Sequence, residues 1–396
     1  MNEPTGDGPL SGLLVADLSR VLAGPYATML LADLGAEVIK VESPTGDDTR
    51  TWSPPTRGDQ ATYFLSVNRN KRSVALDLAD PGDLEAAREL TRRADVVIEN
   101  FKPGGLERFG LDYASVSADN SGVVYASISG FGSGAGAAIP GYDLMVQAMS
   151  GLMSLTGDPD GPPFRAGISV FDVITGMHAA IGILSAVHER TRSGRGQHVE
   201  VDLLSSALSG LVNQSGAYAA GGTVPYRMGN AHPSLFPYEP LPAADGDIIV
   251  IAGNDAQFAR LCEALGRPDL VGDPRFAHNQ DRTANRGELR PHLVEALGAR
   301  TKAEWFDTLI GAGVACAPIN TVDEGVAFAD SLGLTPVVEA GEGEAAVPGI
   351  RNPIRLSRSR ARYTYPPPRL DEHSAQIRAW LGGAGGDDGT EEDDRG

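Results

Sequence analysis

The stretch LLVADLSRVLAGPYATMLLADLGAEVIKVE, residues 13–42, contains two strand patterns separated by one helix pattern. LLVADL and AEVIKVE are short apolar runs typical of buried strands. GPYATMLLADLG opens with a proline and closes with a glycine, the usual order of helix start and stop signals. A strand, a helix and a second strand in this order predict a βαβ unit, in which the two strands are parallel.

The same alternation continues along the next ninety residues or so, as expected for further βαβ units. Strand patterns recur at 73–78, 95–101 and 122–131, and a helix pattern covers 81–94. We therefore predict an α/β fold, with a Rossmann-like parallel-sheet large domain. Neither G-x-G-x-x-G nor G-x-x-x-x-G-K-[ST] follows the first strand, so the usual dinucleotide and P-loop signatures are missing there.

A second, smaller α/β domain is predicted because the pattern changes after residue 222. LPAADGDIIVIAG is typical of a hairpin that turns at Asp245 and Gly246, and T-x-x-E capping boxes begin at Thr301 and Thr321. The predicted segments are an N-terminal tail, a large domain, a small domain, a return segment to the large domain, and a disordered acidic tail. Their ranges are 1–12, 13–222, 223–335, 336–381 and 382–396.

Composition narrows the function classes. The formal net charge is −19, which argues against nucleic acid because phosphate binding needs basic surface. The N-terminus lacks the basic and then apolar run of a signal peptide, and polar residues interrupt every 18-residue stretch, so we expect a cytoplasmic protein without a membrane span. Cys262 and Cys316 are not at metal-ligand spacing; no metal site is expected, and Cys262 is predicted to be a buried free thiol.

SVFDVITGMHAAIGILSAVHERTRSGRG, residues 169–196, predicts a long apolar helix with a single acid, Asp172, at its start. One interpretation makes Asp172 an N-cap, whose side chain accepts bonds from the first free amides. The other makes it a nucleophile that the helix dipole keeps ionised. The first would predict a modest loss of stability on Asp172→Ala, and the second a loss of activity.

Several long motifs, in the same order along about residues 10–380, resemble the class III CoA-transferases. This family includes formyl-CoA and carnitine CoA-transferases and the related α-methylacyl-CoA racemases. The motifs are VLAGPYATMLLADLGAEVIKVE, NRNKRSVALDL, VIENFKPGGLERFGL, PGYDLMVQAMSGLMSLTG, DVITGMHAAIGIL, RTRSGRGQHVEVDLL and GNAHPSLFPYEPLPAADG. The resemblance implies a transferase that takes acyl-CoA and a free carboxylic acid as substrates, with coenzyme A bound as substrate and no tightly held cofactor.

The resemblance also implies site residues. Asp172 takes the place of the catalytic carboxylate, which passes through an aspartyl anhydride and an aspartyl-CoA thioester. The positions that correspond to CoA contacts are Leu22, Ala23, Leu76, Asn100, Lys102, Arg108 and Tyr142. A substrate loop is expected around Gly229, Asn230 and His232. Lys71 and Arg72, in the basic turn at 68–73, are either helpers for the CoA phosphates or solvated surface charges.

Two other functions remain open at this stage. A racemase of the related kind would need a base where the chain has Tyr142, and tyrosine with an ordinary pKa near 10 is a poor base at neutral pH. A non-catalytic CoA-binding protein would not need Asp172. The family resemblance further implies an interlocked homodimer. From the sequence we expect a hydrophobic-to-medium carboxylic acid as substrate.

Overall fold

The computed structural model describes residues 8–383, which form two compact units. The first unit comprises residues 8–150, 166–222 and 335–383, and the second comprises 151–165 and 223–334. The predicted tails fall largely outside the described residues, which exclude 1–7 and 384–396.

The second unit includes residues 151–165, which the sequence analysis had placed within the large domain. The Arg227 side chain donates to the carbonyls of Asp158 and Gly161, and the Gly229 amide donates to the Gly157 carbonyl. These bonds attach residues 151–165 to the second unit, although the residues on either side of this segment belong to the first unit.

Strands and helices alternate along most of the described chain. The strands are β1 (Leu14–Asp17), β2 (Glu37–Glu42), β3 (Thr56–Arg57), β4 (Gln60–Ala61), β5 (Lys71–Ala75), β6 (Val96–Glu99), β7 (Val124–Ser129), β8 (His198–Asp202), β9 (Tyr238–Ala243), β10 (Gly246–Ile251), β11 (Ala315–Pro318), β12 (Val337–Ala340) and β13 (Val347–Ile350). The helices are α1 (Ala23–Asp33), α2 (Thr62–Val67), α3 (Pro81–Arg93), α4 (Tyr113–Asp119), α5 (Asp143–Met149), α6 (Leu152–Leu155), α7 (Val170–Ser193), α8 (Leu203–Gly210), α9 (Asn213–Gly221), α10 (Asp255–Ala264), α11 (Asn279–Ala284), α12 (Arg286–Leu297), α13 (Lys302–Gly311), α14 (Val322–Ser331) and α15 (Ser374–Gly382).

The first unit is built on a six-stranded sheet in the order β5-β2-β1-β6-β7-β8, and all five strand pairs are parallel. Its central strands are buried and rich in valine and isoleucine, as expected where helices cover both faces. The parallel sheet predicted from residues 13–131 is confirmed, and the carboxyl ends of its strands meet at one edge. Ligands bind at that edge in open α/β sheets.

The second unit has its own apolar core between a three-stranded sheet and its helices. The hairpin predicted at Asp245 and Gly246 is present as antiparallel β9 and β10, and β11 pairs with the other side of β10. Both predicted capping boxes, at Thr301 and Thr321, begin helices. Cys262 is buried in this core as a free thiol, as predicted.

Helix α7 is long and apolar enough to cross a membrane by length and composition, with a mean hydropathy of 1.7 over 18 residues. The polar interruptions in the sequence predict no such span. In the structure α7 packs against α1, α8, β7 and β8, and one stripe of it, including Thr175, Ala179 and Ile183, is buried. These contacts bury one side of α7 within the first unit, and a single helix of this length and composition is weak evidence for a membrane span.

Candidate active site

Asp172 lies in the first turn of α7, at the third helical position. The helix begins at Val170 after Ser169, so the interpretation of Asp172 as the N-cap is wrong. The apolar spacing of α7 does not specify which residue begins the helix. In the structure the two residues before Asp172 are already helical.

Asp143, at the start of α5, caps α7 in place of a local residue. Its Oδ1 accepts hydrogen bonds from the amides of Phe171 (2.8 Å) and Asp172 (3.1 Å). Its other oxygen accepts from Gln147, which also accepts a bond from the amide of Ala166. The amides of Phe171 and Asp172 are therefore already engaged, and they do not serve as free oxyanion donors.

The environment of Asp172 opposes its negative charge. Burial, followed by repulsion from the Asp143 carboxylate, raises the pKa of Asp172 to about 7. The interpretation of Asp172 as a nucleophile relied on the helix dipole to keep this group ionised. Desolvation and a second carboxylate outweigh the dipole, which is typically worth about 0.3–1 kcal/mol.

A close helix crossing places the first turns of α7, which carry Asp172, next to the start of α1. Gly176, one turn after Asp172 on α7, lies so close to α1 that a β-carbon there would be 2.6 Å from the Ala23 carbonyl oxygen. The crossing brings the predicted CoA position Ala23 beside the first turns of α7. Tyr142 is also near, because the next residue, Asp143, bonds to the amide of Asp172.

The loop between β1 and α1, residues 18–22, carries the predicted CoA position Leu22, which is half-buried. Asn100, another predicted position, uses its side chain on this loop. Its Oδ1 accepts from the Arg20 amide at 2.9 Å, and its Nδ2 donates to the Arg20 carbonyl at 2.7 Å. Asn100 thus links the loop after β6 to the loop after β1.

The remaining predicted CoA positions of the first unit differ in exposure. Leu76 follows β5, but its side chain is buried in the apolar core and its amide donates to Glu42 O, which leaves only its carbonyl for a ligand. Lys102 and Arg108 are exposed on the loop after β6. Lys102 lines a cavity of about 470 Å³, together with Tyr113, Ser127 and His198.

The basic turn at 68–73 is neither a solvated surface nor a set of free phosphate ligands. Lys71 is fully buried and donates to Asp17, Pro25 and Asn68. Arg72 pairs with Glu37. Lys71 is therefore excluded as a phosphate helper, because its ammonium group is enclosed by protein acceptors.

The predicted substrate loop belongs to the second unit. Gly229 has a φ of 60° and Asn230 is exposed beside a cavity of about 270 Å³. His232 accepts a bond from the Ser234 amide on its Nδ1, and its ring lies 4.9 Å from that of Tyr238. His232 is thus held by its own loop.

Sequence reasoning missed three residues near Asp172. Asp143 was overlooked because nothing in PGYD indicates a cap for a helix 27 residues later. Tyr63 lies close enough for its hydroxyl to bond to Ser169, and burial raises its pKa. The centroids of the Tyr63 and Trp52 rings are 5.2 Å apart, in a T-shaped arrangement. Both aromatic residues come from a Pro- and Gly-rich stretch in which no periodic signal marks them.

Among residues 8–383, no three His, Cys, Asp or Glu side chains are grouped to hold a metal ion. The chemistry available at the site is that of a carboxylate in a partly desolvated position. Such a group is suited to nucleophilic attack on an activated carbonyl.

Comparison with known proteins places this chain in a family. The model of CoA-transferase family III matches residues 10–374. The succinate–glutarate CoA-transferase of Agrobacterium fabrum is 44% identical over 96% of this chain and 97% of its own length. The acetyl-CoA:oxalate CoA-transferase of Acetobacter aceti is 42% identical over 94% of this chain and 95% of its own length. The crystal structure of a CAIB/BAIF family protein from Brucella suis has a TM-score of 0.85 and 44% identity, and covers 95% of this chain and 100% of that one. The chain is therefore an enzyme of CoA-transferase family III.

Proposed function

We propose that this enzyme moves CoA from an acyl-CoA thioester to a free carboxylic acid through covalent intermediates on Asp172. The observation that supports this most directly is the position of Asp172. It is a half-buried carboxylate beside two segments that carry predicted CoA positions, the start of α1 and the start of α5.

In the first half-reaction, a carboxylate oxygen of Asp172 attacks the thioester carbonyl. The C–S bond breaks, CoA leaves as a thiolate, and a mixed anhydride remains. The thiolate then attacks the Asp172 carbonyl carbon of the anhydride, which releases the donor acid as its carboxylate and leaves an aspartyl-CoA thioester. The acyl-transfer potential of the original thioester is retained at each step.

In the second half-reaction, the acceptor carboxylate attacks the aspartyl carbonyl carbon, and CoA leaves again as a thiolate. The thiolate attacks the acceptor carbonyl of the new anhydride and restores the Asp172 carboxylate. Water must be excluded throughout because it would hydrolyse the anhydride. Tyr63, which lies beside Ser169 and in T-shaped contact with Trp52, supplies apolar surface near the start of α7.

The attacking form of Asp172 is the anion, so its raised pKa has a kinetic consequence. With a pKa of about 7, half of the free enzyme is protonated at neutral pH. The value of kcat/KM for acyl-CoA should therefore rise with pH through an inflection near pH 7 and level off about one unit above it. Asp143→Asn should move this inflection to lower pH, since it removes the nearby negative charge.

We propose short dicarboxylic acids as the acceptor substrates. The two relatives described above carry succinate, glutarate and oxalate in their names, and all three are dicarboxylic acids. The second name also contains acetyl-CoA, the thioester of a monocarboxylic acid, so the proposal concerns the acceptor and not the donor. This proposal replaces the hydrophobic acid expected from the sequence. A panel of free mono- and dicarboxylic acids with succinyl-CoA, followed by mass spectrometry of the acyl-CoA products, tests it. Transfer to monocarboxylic acids alone would overturn the dicarboxylate proposal.

The experiment on Asp172 uses mass spectrometry of the enzyme after mixing with succinyl-CoA and no acceptor. We expect CoA bound covalently at Asp172, and neither adduct nor transfer in Asp172→Ala. Loss of a covalent nucleophile commonly lowers the rate by about 10⁴-fold or more. An Asp172→Ala enzyme that keeps more than about a hundredth of the normal rate would contradict the mechanism.

Asp80→Ala is the matched control, because Asp80 is a true N-cap that accepts bonds from the amides of Gly82 and Asp83 on α3. This variant should lose about 1 kcal/mol of stability and keep its activity. Assay in D₂O separates the racemase alternative, which would place deuterium on the α-carbon of the acyl group without forming a CoA adduct on the protein.

A further inference from the structure

The loop at residues 18–22 is held in a strained conformation. Val21 has a φ of 68°, in the left-handed region that β-branched residues rarely adopt. Such strain persists only where the surrounding structure fixes the backbone, and it is concentrated at functional sites. The identity of the groups that hold this loop therefore bears on function.

Side chains from three other segments bind the backbone of this loop. Lys40 on β2 donates to the Ser19 carbonyl at 2.9 Å, and Asp47 accepts from the Val21 amide at 3.2 Å. Asn100 binds both the amide and the carbonyl of Arg20. The loop backbone thus depends on distant side chains rather than on a regular turn.

Lys40 and Asp47 are joined to each other as a buried ion pair. The Nζ–Oδ2 distance is 2.9 Å, and both side chains are almost completely inaccessible to solvent. Although burial opposes both charges, each group favours the ionised form of the other: Asp47 raises the pKa of Lys40, and Lys40 lowers that of Asp47. A buried pair of this kind is weak evidence for stability, because desolvation offsets the attraction between the charges.

We propose that Lys40 and Asp47 are positioning residues, which hold Val21 in its left-handed conformation so that Leu22 and the start of α1 are preformed for CoA. The inference rests on the proposed CoA contact at Leu22 and Ala23. Without the pair, Val21 relaxes to an ordinary backbone conformation and the peptide between Arg20 and Val21 turns. Binding of CoA must then restore the strained loop, and the affinity falls by the cost of doing so.

The test is a rescue experiment with Kd for CoA measured by calorimetry. Lys40→Met/Asp47→Leu replaces the pair by apolar side chains of similar size, and we expect it to weaken CoA binding about tenfold, equivalent to ~1.4 kcal/mol. Adding Val21→Gly should restore Kd to within about threefold of the wild-type value, because glycine adopts a positive φ without strain. If the double variant does not fold, Asp47→Asn, which keeps the size of the side chain, takes its place in the same rescue.

Arg69 and Asp33 provide the matched control. They form another buried ion pair, with two hydrogen bonds of 2.9 and 2.7 Å, at the other end of α1. Arg69→Met/Asp33→Leu should change the melting temperature without changing Kd for CoA. A merely structural role for Lys40 and Asp47 predicts the same outcome for both pairs and no rescue by Val21→Gly.

Leu22→Glu distinguishes the possible failures. Weak CoA binding in Leu22→Glu, together with wild-type binding in Lys40→Met/Asp47→Leu, would overturn the positioning role alone. Wild-type binding in both variants would show that the proposed CoA contact at Leu22 is wrong. Weak binding that Val21→Gly fails to restore would also overturn the positioning role.

Discussion

Asp172 and Asp80 are both acids at the start of a helix, and the structure gives them opposite surroundings. Asp80 is exposed and accepts two backbone amides, which is the ordinary work of a cap. The first amides of α7 are taken by Asp143, so Asp172 gains no such bonds and faces a second carboxylate. The fold therefore destabilises the ionised form of Asp172, which is the form that a carboxylic acid takes in water at neutral pH.

This difference predicts the pH dependence of stability. The pKa of Asp172 is raised from 3.8 to about 7 in the folded chain. Between about pH 4 and pH 7 the unfolded state loses this proton while the folded state keeps it, so the free energy of unfolding falls as pH rises through that window. Asp172→Asn cannot ionise and escapes the loss. It should be more stable than the wild type at pH 8, by on the order of 2 kcal/mol.

Thermal denaturation of the wild type and Asp172→Asn at pH 4 and pH 8 checks this prediction. The melting temperatures should differ by several degrees at pH 8, and this contribution to the difference should vanish toward pH 4. Because asparagine caps a helix about as well as aspartate, a capping role alone would predict nearly equal stability for the two proteins at pH 8. A less stable Asp172→Asn at pH 8 would count against the raised pKa.

Among the secondary-structure elements, the pair α1 and α7 forms the site. Helix α1 brings Leu22 and Ala23 to the carboxyl edge of the sheet, and α7 brings Asp172. Gly176 sets the distance between the two helices, because any side chain there would meet the backbone of Ala23. The close approach of the two helices thus requires a residue without a side chain at position 176.

Gly176→Ala should separate the two helices slightly. Its β-carbon would lie 2.6 Å from a main-chain oxygen that cannot rotate away. We expect a loss of about 1–3 kcal/mol in stability and at least a tenfold loss of kcat/KM, measured by denaturation and by CoA-transfer assay. Gly182→Ala on the same helix is the control, since its β-carbon would meet only the side chain of Val199, at 2.7 Å. Equal activity of the two variants would show that the crossing distance does not matter for catalysis.

On the scale of the whole molecule, the first unit leaves apolar side chains on the surface. Met177 and Ile181 on α7 and Leu208 on α8 are 39%, 61% and 45% exposed, although α7 and α8 pack together. Adjacent exposed apolar residues are typical of a protein interface. We propose that a second copy of the chain covers them in a homodimer.

Ile181→Glu tests this proposal by placing a charge on that surface. Sedimentation velocity should show a dimer for the wild type and a smaller species for the variant, because burial of an unpaired carboxylate is costly. Ile319→Glu is the control, since Ile319 is similarly exposed, at 60%, but lies in the second unit. A wild-type monomer with full activity would contradict the dimer.

The parallel sheet was predictable because its signal is local. Short apolar strands, a proline before a helix and a glycine after it specify βαβ units within a few tens of residues. The hairpin at Asp245 and Gly246 and the capping boxes at Thr301 and Thr321 were predictable for the same reason. Asp172 stood out as a polar exception to an apolar helix pattern, and the family motifs gave it a proposed role.

What the sequence alone determined is the alternation of strands and helices in the parallel sheet, the family and the carboxylate at the start of α7. The tertiary structure decided how each charge is used. Lys71, in a basic turn, became a buried partner of Asp17, and Asp143 became the cap of a helix that starts far along the chain. The physical reason is that local patterns record backbone propensity and periodic burial, whereas the ionisation and pairing of a side chain depend on groups that only folding brings within hydrogen-bonding distance.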